Sequence, residues 1–203
     1  MKFKSLLSNT LLISVVAVCL SGCVGKSPPP NFYILTSLQE IQKYSQKTDP
    51  ASTIAIGLGP VTLADYIDQP KIITRTGDNQ LVRAEFEQWA GSFKDNVTNV
   101  LAENIGLLQA TEQVHIYPWR LSLPIDYQIQ LDVLRCDGVL GQEVQLVARW
   151  SVFQGRDKKL LVTNRSNIRE PVGDMSYASF VAAQSKALER LSREISQALP
   201  PLN

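Results

Sequence analysis

The side chains best able to do chemistry in this 203-residue chain are few: cysteines at 19, 23 and 136, and a single histidine, His115. A protein metal site draws its ligands from a tight cluster at short spacing. His115 and Cys136 stand alone in their stretches, so no metal ligand is assigned. His115 lies within Val114-His115-Ile116, the setting of an ordinary strand residue. Gly57-Leu58-Gly59-Pro60 follows an apolar run and suggests a phosphate loop. It lacks a third glycine, and Pro60 removes an N–H where donors are needed. No Gly-x-Ser-x-Gly elbow occurs. Asp65 and Asp68 could share a cation, but they are better read as capping and solvating a turn. No catalytic residue and no cofactor is therefore expected. A hydrolase built on His115 or Cys136 stays as a third reading, which substitution of either residue tests.

Cys23 is set apart by what precedes it. Lys2 and Lys4 give a positive start without an acid, and an apolar run follows from Leu11 to Leu20. Charge followed by a short apolar stretch is the layout of a secretory leader. The run is shorter than the ~20 apolar residues a bilayer span needs. It ends in Leu20-Ser21-Gly22-Cys23, which resembles the lipobox of bacterial lipoproteins. Ser21 and Gly22 fit a narrow protease subsite, and only a cysteine offers a sulfur nucleophile able to carry a diacylglyceryl group. The expectation is cleavage between Gly22 and Cys23, with lipidation of Cys23 by chains of the palmitate type. An ordinary cleaved leader, or an uncleaved anchor with an incidental cysteine, is the competing reading. Each buried CH₂ of an acyl chain contributes about 0.8 kcal/mol, and two or more chains anchor stably. Val24 follows the cysteine where aspartate would favour retention at the inner membrane, so delivery to the outer membrane, facing the periplasm, is expected.

Three segments follow: a signal peptide at 1–22, a lipidated cysteine with a proline-rich tether at 23–30, and one domain at 31–203. Lys26-Ser27-Pro28-Pro29-Pro30 is an extended spacer by composition. Losing Lys2 and Lys4 with the leader takes the net charge from +1 to −1. A near-neutral chain argues against nucleic acid as a partner and against electrostatic adhesion to anionic lipid. Cys136 is left without a disulfide partner in the mature chain, and a small buried side chain is the expectation for it.

The elements that must carry the domain follow from hydrophobic period. Asn31–Ser37 and Thr53–Leu58 read as strands, the second closed by Gly59-Pro60, with a loop or short helix over Leu38–Ser52. Lys71–Thr76 and Gln80–Phe86 read as a hairpin around Gly77-Asp78-Asn79. Phe93, Val97, Val100, Leu101, Asn104 and Leu108 recur at helical spacing, with Ser92 as N-cap. Gln113–Tyr117 is a short strand. Asp126–Arg135, Glu143–Phe153 and Lys159–Ile168 alternate apolar with polar residues and suggest an antiparallel meander. Met175–Leu199 carries an apolar stripe from Tyr177 to Ala198 and reads as an amphipathic helix. The fold class expected is α+β: one domain, an antiparallel sheet with two main helices on one face. Trp89, Trp119 and Trp150 are read as packing residues before ligand contacts.

Gly59-Pro60-Val61-Thr62-Leu63-Ala64-Asp65-Tyr66-Ile67-Asp68-Gln69-Pro70-Lys71-Ile72-Ile73-Thr74-Arg75 resembles the signature of the PqiC/YmbA-type auxiliary lipoproteins of ABC-type, MCE-protein transport systems. Glu87-Gln88-Trp89-Ala90, Val100-Leu101-Ala102-Glu103-Asn104, Ala148-Arg149-Trp150 and Phe180-Val181-Ala182-Ala183 fit as well. The resemblance covers nearly all of the mature chain. Ala64 and Gln69 depart from it, standing where proline and arginine are usual.

The resemblance implies a non-enzymatic, membrane-integrity role. The protein would be an auxiliary or adaptor subunit of an MCE/ABC-type system moving phospholipid between inner and outer membranes. Its partners would be the membrane, through the lipid anchor, and a PqiB-like MCE-domain transport protein; a ring-shaped partner makes a homo-oligomer natural. Tyr66, Asp68, Arg75 and Trp89 are the candidate partner-binding residues. The alternative is a lipid- or ligand-binding lipoprotein acting alone, which requires a large apolar cavity.

Overall fold

The computed structural model describes residues 28–38, 53–120, 123–155 and 157–200. The leader, Cys23 and most of the expected loop over 38–52 lie outside them. The elements are β1 (Asn31–Tyr33), β2 (Ile56–Leu63), β3 (Lys71–Gly77), β4 (Gln80–Trp89), α1 (Phe93–Leu108), β5 (Val114–Ile116), β6 (Tyr127–Gly138), β7 (Glu143–Gln154), β8 (Leu160–Pro171) and α2 (Tyr177–Ala198). They form a five-stranded sheet, β5-β2-β6-β7-β8, and a three-stranded sheet, β1-β4-β3.

The meander is the one the alternation predicts: β6 pairs antiparallel with β7, and β7 with β8. Tyr127, Ile129, Leu131 and Val133 on β6, and Val144, Leu146, Ala148, Trp150 and Val152 on β7, are all buried. Both helices lay their stripes on this face. Phe93, Val97, Leu101 and Ile105 of α1 and Phe180, Leu188, Leu191 and Ile195 of α2 join the same core. Fully burying one such side chain is worth about 1.5–3 kcal/mol, so this seam is the main source of cohesion. Ser92 caps α1 by accepting from the Asp95 N–H, and Ser176 caps α2 by accepting from the Ser179 N–H.

The α+β class and the two helices are as expected, but the sheets are mixed rather than antiparallel. β2 runs parallel to both β5 and β6, and β1 runs parallel to β4. Alternation reports which face of a strand is buried, not which way its neighbour runs; direction is set by the connections. Nor does β2 stop at Gly59-Pro60. It continues to Leu63, with a register shift against β6 between Leu58 and Val61. Gly59 is needed there: its φ is +130°, and a Cβ would come within 2.5 Å of Tyr117 Cβ. That explains the glycine without any phosphate.

The first strand is shorter than expected because residues 36 and 38 bond to helices instead. Thr36 N–H donates to Ser185 Oγ at 3.1 Å on α2, and Leu38 N–H donates to Asn104 Oδ1 at 2.7 Å on α1. Asn104 in turn donates to Ser192 Oγ at 3.2 Å. The chain leading in from the N-terminal side is thereby pinned to both helices.

Candidate functional site

Between β2 and β3 the chain makes a compact turn. The Ile67 and Asp68 N–H groups both donate to the Ala64 carbonyl, at 3.0 and 3.3 Å. Ile67 plugs the core, being only 2% exposed. Gln69, where the signature usually carries arginine, donates from Nε2 to the Asp65 carbonyl at 2.9 Å and closes the turn on itself. The outward side chains are Asp65 and Asp68, both exposed.

Tyr66 faces the other way, toward the five-stranded sheet. Its hydroxyl donates to Asp137 Oδ2 at 2.6 Å. Arg75, on β3, donates to the same carboxylate from Nε at 2.5 Å and from Nη2 at 3.1 Å. Its Nη1 holds the Asp78 carbonyl at 2.7 Å, which also fixes the hairpin turn. Arg135 completes the set, with Nε 2.8 Å from Asp137 Oδ1. The guanidinium carbon of Arg75 stands 6.0 Å from the Tyr66 ring centroid, within reach of a cation–π contact. One buried carboxylate thus ties the β2–β3 turn, the small sheet and the large sheet together.

The charge states in this clasp are fixed. Burial alone would raise the Asp137 pKa, but hydrogen bonds from Arg75, Tyr66 and Arg135 outweigh it and hold the carboxyl below its ordinary value. Tyr66 is pushed up to about 12, first by burial and then by its bond to Asp137. Burial, followed by the Asp137 charge, pushes the neighbouring Cys136 thiol up to about 12, so it is a poor nucleophile. Asp137 is thus a carboxylate and Tyr66 a neutral phenol at neutral pH, and the hydrogen bond between them ties the β2–β3 turn to the large sheet. Among the described residues no group of three or more His, Cys, Asp or Glu could hold a metal ion. His115 sits half-buried on β5, paired across from Gly57.

Of the four candidate contact residues, Tyr66 and Arg75 come together on Asp137, and Asp68 stands on the turn's outer face. Trp89 does not join them. It is 4% exposed and stacks on Phe93 with ring centroids 4.5 Å apart. Sequence reasoning missed Asp137 and Arg135. The signal was the break in the β6 alternation after Val133, where a register shift against β7 is followed by two charged residues at the end of an otherwise apolar face.

A groove of about 350 Å³ opens elsewhere, between residues 34–37 and the start of α1. Its wall mixes apolar Ile34, Leu35 and Val100 with polar Asp95, Asn96, Asn99 and Glu103, whereas ligand pockets are lined predominantly by apolar side chains. No helix among the described residues is long and apolar enough to cross a membrane.

A family model described as the ABC-type transport auxiliary lipoprotein component matches residues 33–196. No curated protein matches the chain. Among solved structures, that of an uncharacterized protein aligns with a TM-score of 0.67 at 15% identity, over 84% of this chain and 98% of that one. A protein from Xanthomonas campestris aligns with a TM-score of 0.65 at 17% identity, over 82% and 92% respectively. At these identities the two structures show a shared fold and nothing finer.

Proposed function

The chain belongs to the ABC-type transport auxiliary lipoprotein family, and from that membership we propose that it is a lipid-anchored, non-enzymatic adaptor of an MCE/ABC-type phospholipid transport system. Residues 1–22 are the leader, Cys23 carries the lipid, 23–30 is the tether and 31–203 is the adaptor domain. The anchor sits in the outer membrane, and the domain faces the periplasm. Its partner is an MCE-domain transport protein of the PqiB-like kind.

The family match is the observation that carries this reading. The clasp supports it locally. Asp137, Arg75 and Tyr66 hold a rigid turn whose outer face offers Asp68 and Asp65 to a partner. A preorganised surface loses less entropy on binding than a mobile one. Tyr66 and Arg75 therefore serve contact by positioning, while Asp68 makes it. The stand-alone carrier requires a large, mainly apolar cavity, and the groove of about 350 Å³, with Asp95 and Glu103 among its apolar walls, lends it little support.

The test is extraction of the tagged, native-level protein from envelopes in mild detergent. The adaptor reading expects an MCE-domain protein and an ABC permease or ATPase to co-elute at defined ratio. A protein that elutes alone, or with a bound lipid and no subunit, contradicts it.

A further inference from the structure

We infer that Phe32 and Ile34 form a membrane-seating face, resting in the interface of the bilayer that holds the lipid anchor. This rests on the anchor at Cys23. Among the described residues only Met175 is a more exposed large apolar side chain than Phe32, at 63%, and Ile34, at 61%. Both lie where the chain enters the domain, directly after the exposed Pro28, Pro29 and Pro30.

Their direction is set by the fold. Tyr33 is half-buried and Leu35 and Ser37 are buried, so from Tyr33 onward the odd-numbered side chains turn inward, while Asn31 bonds Glu87 Oε1 at the surface. Phe32 and Ile34 are left outside. The backbone behind them is tied down by the Ala90 N–H to the Tyr33 carbonyl at 2.8 Å, by buried Leu35, and by the bonds from Thr36 and Leu38 to the two helices. Two apolar groups are therefore presented at a fixed place rather than on a loose end.

Chain length decides the occupant. From Cys23 to Phe32 a fully extended chain spans at most roughly 30 Å. A lipidated Cys23 keeps this face within that distance of the bilayer and raises its effective concentration there, so a contact too weak to bind alone becomes populated. The row beside Phe32 is compatible with lipid headgroups. Gln88 pairs with Phe32 on one side and with Lys71 on the other, with no carboxylate in the row. Asp95 and Glu103 in the groove beside Ile34 confine the immersion to the two apolar side chains, as for an interfacial rather than an inserted contact.

The test places a nitroxide on the full-length lipidated protein through Phe32→Cys or Ile34→Cys, with Leu160→Cys as control. Leu160 is exposed on the large sheet's edge strand, and buried Cys136 resists labelling. The protein is bound to vesicles of phosphatidylethanolamine and phosphatidylglycerol, and collision with oxygen is compared with collision with a water-soluble nickel chelate. The expected result is a several-fold shift toward oxygen at 32 and 34 and none at 160. Water-like values at 32 and 34 in protein that floats with the vesicles overturn the inference and leave the anchor standing. Protein that does not float overturns both.

Discussion

Arg75 on the small sheet and Asp137 on the large sheet meet with Nε 2.5 Å from Oδ1, and the Asp137 side chain is fully buried. Removing one member of a buried ion pair leaves the other charge uncompensated, at a cost of about 3–5 kcal/mol. Asp137→Ala strands two guanidiniums and a phenol and is expected to fall in this range. Arg75→Ala costs less, because Arg135 and Tyr66 still serve the carboxylate and Arg75 retains some access to water. Urea midpoints of the two variants check the order.

The same clasp shapes the pH dependence. Asp137 titrates below its ordinary value in the fold. Its contribution is complete above about pH 4 and is lost as pH falls from there toward the folded value. Tyr66 is raised to about 12, so its contribution is complete below about pH 10, the ordinary phenol value, and is lost as pH rises toward 12. Denaturation curves at successive pH values should show Asp137→Asn flattening part of the acid limb, Asp174 beside Ser176 keeping the rest, and Tyr66→Phe flattening part of the alkaline one. Tyr33, also raised to about 12 by burial and by Glu87, and Cys136, raised to about 12 by burial and by Asp137, keep the remainder of that alkaline limb.

Asn104 is fully buried and receives the Leu38 N–H. Asn104→Ala leaves that donor without its acceptor, an effect of about 1–3 kcal/mol, while Ser192 keeps its bond to the Leu188 carbonyl. Hydrogen exchange distinguishes this from a general loss: the Leu38 amide should exchange faster than amides at the centre of β7.

Asp68 and Tyr66 are two residues apart, yet their substitutions should separate. Asp68→Lys is expected to leave the urea midpoint unchanged, within about 0.5 kcal/mol as at most exposed sites, and to reduce recovery of the MCE-domain partner. Tyr66→Phe lowers stability first. A photo-cross-linker replacing Asp68 should capture that partner, and one replacing Leu160 should not.

Much of the fold was legible because hydrophobic period is a local property. The hairpin, the meander, Ser92 as N-cap and both helices follow from residues within a few positions of one another. The mixed strand directions and the bonds that tie Thr36 and Leu38 to the two helices depend on contacts distant in sequence, and no period encodes them. The site divides in the same way. The Tyr66–Arg75 stretch stood out as a motif, but its reason is Asp137, 62 residues beyond Arg75, at the end of a strand whose alternation slips just before it. Trp89, grouped with the site by its place in the chain, belongs to the core because the end of β4 turns it onto Phe93.

The account depends most on Cys23, and intact mass spectrometry of the native protein purified from envelopes tests it directly. It predicts a polypeptide beginning at Cys23 and carrying a diacylglyceryl adduct with fatty-acyl chains, and it predicts that Cys23→Ser releases the protein into the soluble fraction. A mature chain starting elsewhere, or starting at Cys23 with an unmodified thiol, contradicts it.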